Sequence, residues 1–390
     1  MIIGYDAKRI VANGTGLGSY GRTLISALSA ISHGHTLRLY APDRGVERLR
    51  SQVALSPSVS FVFHTEKDKE QLSLWDKCCG AFWRSKKIVA QLKKDGVDVF
   101  HGLSGELPIG LKSARIPGIV TIHDLIFLRH PEYYNWIDVQ MYRWKFLQTL
   151  REATRIIAIS ECTKRDILHY GTFPEDKIDV IYQSCGTYFS HREGENKLQK
   201  VHANYNLPTR YILNVGTIEE RKNVLLAVKA LVHLPKEIHL VVVGRQTPYI
   251  NKVKQYMEKM QLGNRVHFLH GIPNDELPAI YQMAECFVYP SRYEGFGIPI
   301  IEAIQSGLPV IAATGSCLEE AGGPVSLYVS PDDEHATAAA IRQSLCGAAG
   351  REERIQRSRE YIHRFENQDV AQKVLDCYMR VGQDWKHSLK

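Results

Sequence analysis

The chain has 390 residues, 44% of them hydrophobic and 23% charged, a balance that excludes general disorder and a length that exceeds one ordinary hydrophobic core. No apolar run approaches the roughly 20 residues that cross a bilayer, and the start, Met1-Ile2-Ile3-Gly4-Tyr5-Asp6-Ala7-Lys8-Arg9, lacks the basic-then-apolar order of a secretion signal, so a cytoplasmic protein is expected. The net charge of +7 is uneven: residues 1–190 carry 25 Lys and Arg against 19 Asp and Glu, and residues 191–390 carry 24 against 23, which favours an anionic partner for the first half.

Short apolar strands alternate with helical patterns along the whole chain. In the first half, strands are expected at 1–6, 37–41, 59–63, 97–101, 118–122, 155–159 and 178–182, with helices at 19–30, 67–94, 131–152 and 160–170. The first motif, Gly14-Thr15-Gly16-Leu17-Gly18-Ser19-Tyr20-Gly21-Arg22, opens the first long helix. Glycines let backbone approach a ligand closely, and a helix N-terminus offers free N–H groups to phosphate. Gly16, Gly18 and Gly21 also fit a dinucleotide fingerprint, and Asp43 lies where a ribose ligand would. An NAD-dependent oxidoreductase is therefore one reading. Against it, residues 7–13 separate the strand from the glycines, whereas the fingerprint follows its strand at once.

Segment 67–94 mixes Trp75, Phe82, Trp83, Arg84, Lys86, Lys87, Lys93 and Lys94 on one expected helix. Such a helix rests on an anionic membrane surface or packs as an ordinary amphipathic element with a solvated basic side. His123-Asp124 ends the strand 118–122, where α/β sheets collect functional groups; a structural pair capping the next segment is the plain alternative. Segment 183–208 holds Gly186, Gly194, Asn196, Asn204, Asn206 and Pro208 without a sustained helical or strand period, and marks a domain boundary.

The second half repeats the rhythm, with strands at 211–215, 239–243, 266–269, 286–289, 309–312 and 327–329. Near-continuous Val, Ile and Leu strands joined by helices specify parallel sheets covered on both faces, so the fold class is α/β with two doubly wound, Rossmann-like domains facing across a cleft. After strand 211–215, Arg221-Lys222 can clamp a diphosphate, the guanidinium bidentately and the ammonium as a point charge. A solvated loop offset by Glu219 and Glu220 is the alternative. After strand 286–289 comes Glu294-Gly295-Phe296-Gly297-Ile298-Pro299, then Glu302 about one turn into a helix. Carboxylates and exposed amides at this turn can grip a polyol phosphate. An amphipathic helical stretch, 351–385, closes the chain.

The eight cysteines form no C-x-x-C, and neither His-Glu-x-x-His nor Asp-x-Asp occurs, so no disulfide framework or metal site is expected. No nucleic-acid reader motif is present, and nucleic acid is not expected as a partner.

These four constellations together resemble glycosyltransferase family 4, retaining enzymes of the GT-B fold, over about residues 1–365. Glu294 to Glu302 is similar to that family's E-x7-E signature, Gly16-Leu17-Gly18-Ser19-Tyr20 to its glycine loop, His123-Asp124 to its active-site His, and Gly216-Thr217 with Arg221-Lys222-Asn223 to its diphosphate loop. The segment His101-Gly102-Leu103-Ser104-Gly105-Glu106-Leu107-Pro108 looks like members that build bacterial surface polysaccharides, several of them mannosyltransferases. The resemblance implies an acceptor-binding domain at 1–185, a nucleotide-sugar-binding domain at 186–365, and a C-terminal helix at 366–390 crossing back to the first domain. It implies that Arg221, Lys222, Gly16 and Gly18 bind the donor diphosphate and that Glu302 binds the ribose. Glu294, Gly295, Phe296 and Gly297 would hold the donor sugar, with His123 and Glu294 as catalytic residues. Some relatives carry Arg where this chain has Thr217, which leaves more to the Arg221–Lys222 pair. The implied reaction is retaining, metal-independent hexosyl transfer, with mannose as the guessed sugar, to a saccharide or lipid-linked acceptor. Base and sugar selectivity are expected near Gly244-Arg245 and Gly271-Ile272.

Overall fold

The computed structural model describes residues 1–31, 34–184 and 187–388. Contacts divide it into two units, Met1–Ser184 with Phe365–Lys390, and Cys185–Arg364.

In the first unit, seven strands lie parallel in the order β3-β2-β1-β4-β5-β6-β7. They are β1 (Ile2–Asp6), β2 (Thr36–Ala41), β3 (Val59–Phe63), β4 (Val99–Gly102), β5 (Gly118–Ile122), β6 (Ala153–Ala158) and β7 (Ile178–Val180). On β1, Tyr5 registers with Leu39 of β2 and His101 of β4. Side chains alternate between faces, so each face needs its own cover. One face packs against Leu24, Ile25 and Leu28 of the helix Gly16–Ile31 and against Val374, Leu375 and Tyr378 of the C-terminal helix Asn367–Ser388. The other packs against Phe146, Leu150 and Ile167. Each buried Leu, Ile or Phe contributes about 1.5–3 kcal/mol before entropy is charged against it.

In the second unit, six parallel strands run β10-β9-β8-β11-β12-β13. They are β8 (Tyr211–Val215), β9 (His239–Val243), β10 (Val266–Leu269), β11 (Cys286–Tyr289), β12 (Val310–Ala313) and β13 (Leu327–Val329). Both sheets are doubly wound α/β, the class expected from the sequence. Strand order reverses between β1 and β4, and again between β8 and β11. Ligands of such sheets bind beyond the strands' carboxyl ends at these points.

Four local expectations are corrected. The stretch 67–94 is not one helix: a short 3-10 turn precedes Leu74–Phe82, then a π-turn at Trp83–Lys87 leads into Ile88–Lys94. The extra residue of a π-turn re-aims side chains; here Trp83 is buried and Arg84 reaches Asp6. Segment 183–208 contains the helix Glu195–Asn204, whose mostly polar sequence buries only Val201. Residues Lys8–Ala12 form a short helix between β1 and the glycines, so strand, glycines and helix are not contiguous as a dinucleotide site requires. The closing helix breaks at His363–Phe365, between Arg351–Ile362 and Asn367–Ser388.

Candidate active site

The sheet reversal of the second unit puts the loops after β8 and β11 side by side. Asn223 holds them together. It sits in the left-handed region at φ 54°, and its Nδ2 donates to the carbonyls of Pro290 (3.2 Å) and Pro331 (2.8 Å). The Arg292 amide donates to the Arg221 carbonyl at 2.8 Å. Loops after three different strands are thereby fixed relative to one another.

At their centre lies Glu294, 8% exposed. Its Oε2 meets the Arg221 guanidinium at 2.9 Å and its Oε1 the Lys222 ammonium at 2.5 Å. The Ser291 hydroxyl donates to Oε1 at 2.5 Å and the Tyr289 hydroxyl at 3.2 Å, while Lys222 donates to Tyr289 at 2.7 Å. Burial works against the Glu294 charge, but Lys222 and then Arg221 outweigh it and hold the carboxyl at about 2. Arg221 also pairs with Glu219 at 2.7 Å and donates to the Tyr293 carbonyl at 2.6 Å. Two cations thus meet two carboxylates, and the cations are not idle surface charges. Glu220, by contrast, reaches out to Lys252 at 3.5 Å.

Glu302 stands apart on the helix Ile298–Gln305, partly buried, with the Tyr281 hydroxyl donating to its Oε2 at 3.0 Å. Burial pushes this carboxyl up to about 7, against the opposing Tyr281 hydrogen bond. Gly297 precedes the helix at φ 116°, a conformation glycine adopts without strain. A Cβ there would also lie 3.1 Å from Leu318. The Cys317 thiol donates to the carbonyls of Glu294 (3.1 Å) and Phe296 (3.0 Å). Phe296 itself is buried in packing, so only its backbone faces a ligand's requirements.

In the first unit the two glycines separate physically. A Cβ on Gly18 would stand 1.9 Å from the Asn13 carbonyl oxygen, whereas one on Gly16 meets nothing within 4 Å. Gly18 is required by packing; Gly16 faces open space. Arg22 secures the same turn by donating to the carbonyls of Ile10 (2.8 Å) and Asn13 (3.0 Å).

His123 follows β5, one strand from the β1/β4 reversal. Its Nε2 pairs with the Leu103 carbonyl at 2.8 Å, its Nδ1 with the Gln183 amide at 2.6 Å, and the Tyr20 ring stands edge-on at 4.8 Å. Burial pushes the imidazole down to about 4, with the Leu103 carbonyl opposing. A neutral ring with both nitrogens engaged fits a positioning residue better than a general base. Asp124 accepts from the Ile126 amide at 3.2 Å, and Asp43, the residue a ribose would need in an NAD enzyme, accepts from Gly45 at 2.9 Å in a turn.

The family described as Glycosyltransferase Family 4 matches residues 14–184, and Glycosyl transferases group 1 matches residues 196–361. The chain belongs to the family 4 glycosyltransferases. Among relatives, O-antigen chain mannosyltransferase B of Escherichia coli is 29% identical over 72% of this chain and 74% of its own length. O-antigen chain mannosyltransferase RfbU of Salmonella typhimurium is 29% identical over 65% and 67%. Among solved structures, sucrose-phosphate synthase from Thermosynechococcus elongatus superposes with a TM-score of 0.76 over 98% of this chain and 99% of that one, at 21% identity. Anabaena HepE in complex with UDP-glucose gives 0.72 over 96% and 98%, at 15%. These likenesses show the GT-B fold, and this glycosyltransferase gains no support from them for the NAD reading.

Sequence reasoning missed Tyr289, Ser291 and Asn223 as organising residues. Only Asn223 carried a signal, an Asn just before an apolar helix. Among the described residues, one His and carboxylate cluster, His233, Glu334 and His335, brings its ligand atoms within 4.8 Å. Residues this far apart in sequence leave no spacing motif, and Lys229 already pairs with Glu334 at 3.5 Å.

Proposed function

We propose that this glycosyltransferase moves a hexose, mannose by analogy with its O-antigen relatives, from a nucleoside-diphosphate sugar to a saccharide or lipid-linked acceptor in bacterial surface polysaccharide assembly. The ionic knot of Arg221, Lys222 and Glu294 at the β8/β11 reversal carries this reading. In the transfer, the bond from anomeric carbon to phosphate oxygen breaks and its electron pair stays on the diphosphate. The acceptor hydroxyl oxygen ends bonded to the anomeric carbon, with that carbon's configuration retained, and the hydroxyl proton ends on the diphosphate. Charge grows on the leaving group, so fixed cations there stabilise the transition state more than the ground state.

Arg221 and Lys222 take this role in place of a divalent ion. The knot keeps them oriented before the donor arrives, because Glu294 and Glu219 fix their geometry. Glu294 and the backbone of Gly295, Phe296 and Gly297 hold the sugar, and Glu302 holds the ribose. In the first unit, Gly16 offers backbone open to a ligand, and His123 positions the acceptor's reacting hydroxyl. The test is turnover of a panel of nucleotide sugars, GDP-mannose and UDP-glucose among them, in the presence of EDTA. Metal-independent release of the nucleoside diphosphate from one donor supports the reading; full loss on chelation contradicts it.

No helix among the described residues is long and apolar enough to cross a membrane. Leu74 and Trp75 are nevertheless 81% and 77% exposed, beside the exposed Lys77, Lys86 and Lys87. This supports peripheral contact with the anionic cytoplasmic membrane surface, where apolar insertion and basic attraction add. Co-sedimentation with vesicles containing phosphatidylglycerol should fall on Trp75→Ser and with added salt; binding indifferent to both contradicts the contact.

A further inference from the structure

At the β1/β4 reversal of the first sheet lies a second cavity, about 340 Å³, with no part in the donor site. Its floor is ionic. The Arg84 guanidinium binds Asp6 at the end of β1 (2.5 Å) and also Glu106 beyond β4, and Lys145 binds Glu106 at 3.0 Å. Lys8 lines the same floor. Two exposed aromatic side chains, Phe82 and Trp144, also line it, 52% and 58% exposed. Glu106 and Lys145 also line the neighbouring cavity that holds His123 and Asp124.

We infer that this groove binds an internal sugar residue of the acceptor glycan, with Trp144 and Phe82 as stacking platforms and Glu106 and Lys145 as hydroxyl partners. The inference rests on the glycosyltransferase reading and extends it to acceptor choice. Three observations favour a sugar. Exposed aromatic faces match the apolar C–H faces of a pyranose. Glu106 and Lys145 keep 30% and 36% of their side chains accessible, so one accepts and the other donates to hydroxyls at the groove's edge. Asp6, 5% exposed, is taken up by Arg84 and the Lys8 amide. An alkyl chain would cover these charges and return no hydrogen bonds, a cost sugar hydroxyls avoid. The Glu106–Lys145 pair borders both the groove and the His123 cavity, so a chain whose end reacts near His123 would lay its next sugar against Phe82 and Trp144.

The experiment uses the full chain and three variants, Trp144→Ala, Phe82→Ala and Glu106→Gln. Binding of mannobiose, mannotriose and chitobiose is followed by saturation-transfer NMR without donor, and transfer to the best binder is then measured with donor. At least one saccharide should bind the wild type and be weakened about tenfold by Trp144→Ala. The acceptor KM should rise with it, while donor KM and donor hydrolysis to water stay unchanged. Since Glu106→Gln weakens the floor and threatens folding, the two exposed aromatic variants carry the decision. No saccharide binding to the wild type, equal binding by wild type and both aromatic variants, or displacement of the saccharide by farnesyl phosphate with the variants abolishing only the latter, would overturn the inference. Failure of every donor to turn over would overturn the proposed function instead, and leaves the donor-free binding result to stand or fall alone.

Discussion

The two sheets share a topology yet equip their reversal points differently. Beyond β8 and β11, charge is concentrated: Arg221, Lys222 and Glu219 form a paired knot around the buried Glu294. Beside β5, the candidate residue is a neutral imidazole with both nitrogens satisfied by uncharged partners. The cavity at β1/β4 lies between these extremes, with Glu106 and Lys145 partly accessible and two exposed aromatic side chains in its lining. The contrast follows the chemistry. A departing diphosphate needs fixed positive charge, an acceptor hydroxyl needs position, and a glycan needs stacking surface with scattered hydrogen-bond partners.

The largest effect that would break this contrast is at Glu294. Because it is buried against two cations, Glu294→Ala strips Lys222 of its carboxylate and leaves Arg221 with Glu219 alone, and should cost about 3–5 kcal/mol of stability, read by denaturant unfolding. Transfer should fall by about 10²–10³ or more. The pH dependence has a definite sign: with a folded value near 2 and an ordinary value of 4.5, Glu294 stabilises the fold above the ordinary value. That contribution is lost as pH falls toward about 2. A Glu294→Ala protein as stable as wild type at pH 7 would show that the knot is not assembled.

Lys222→Met is the sharper catalytic test, since it removes one ammonium and leaves Arg221 to pair with Glu294. Donor turnover should drop by about 10²-fold with circular dichroism unchanged; a change in donor KM alone would assign Lys222 to ground-state binding. Next come the glycines. Gly18→Ala, which forces a Cβ against the Asn13 carbonyl, should lower stability by about 1–3 kcal/mol. Gly16→Ala should leave stability within about 0.5 kcal/mol, so any loss of turnover there reports ligand contact.

The smallest expected effect is at Glu302. With its carboxyl near 7, the ionised acceptor form is lost as pH falls through that value, and donor KM should rise several-fold between about pH 8 and 6. Glu302→Gln should flatten that profile. A wild-type donor KM independent of pH over the same range would remove Glu302 from the ribose.

Much of the architecture was legible because buried parallel strands need continuous Val, Ile and Leu: 59–63, 118–122, 211–215, 239–243, 266–269, 286–289 and 327–329 match the observed bounds. Polar or locally irregular elements were not. Glu195–Asn204 hides its helix behind a nearly uniform polar surface, and the π-turn at Trp83–Lys87 arises from the tertiary demand to bury Trp83 and bring Arg84 to Asp6. At the candidate site, motif spacing placed Arg221, Lys222 and Glu294, since each sits next to a strand end. It could not show that they neutralise one another, because Asn223 and the Lys222–Tyr289 pair act through contacts between residues 67 to 108 apart, and the local bonds of Ser291 and Tyr289 to Glu294 leave no periodic trace. Nor could it show that Gly18 answers to the Asn13 carbonyl while Gly16 does not.

The most direct measurement of the central idea, protein cations standing where a metal would, is isothermal titration of GDP and UDP in excess EDTA. Wild type should bind one of them under chelation, and Lys222→Met should bind it at least tenfold more weakly. Binding that appears only with added magnesium, or that is equal in wild type and variant, would contradict the account.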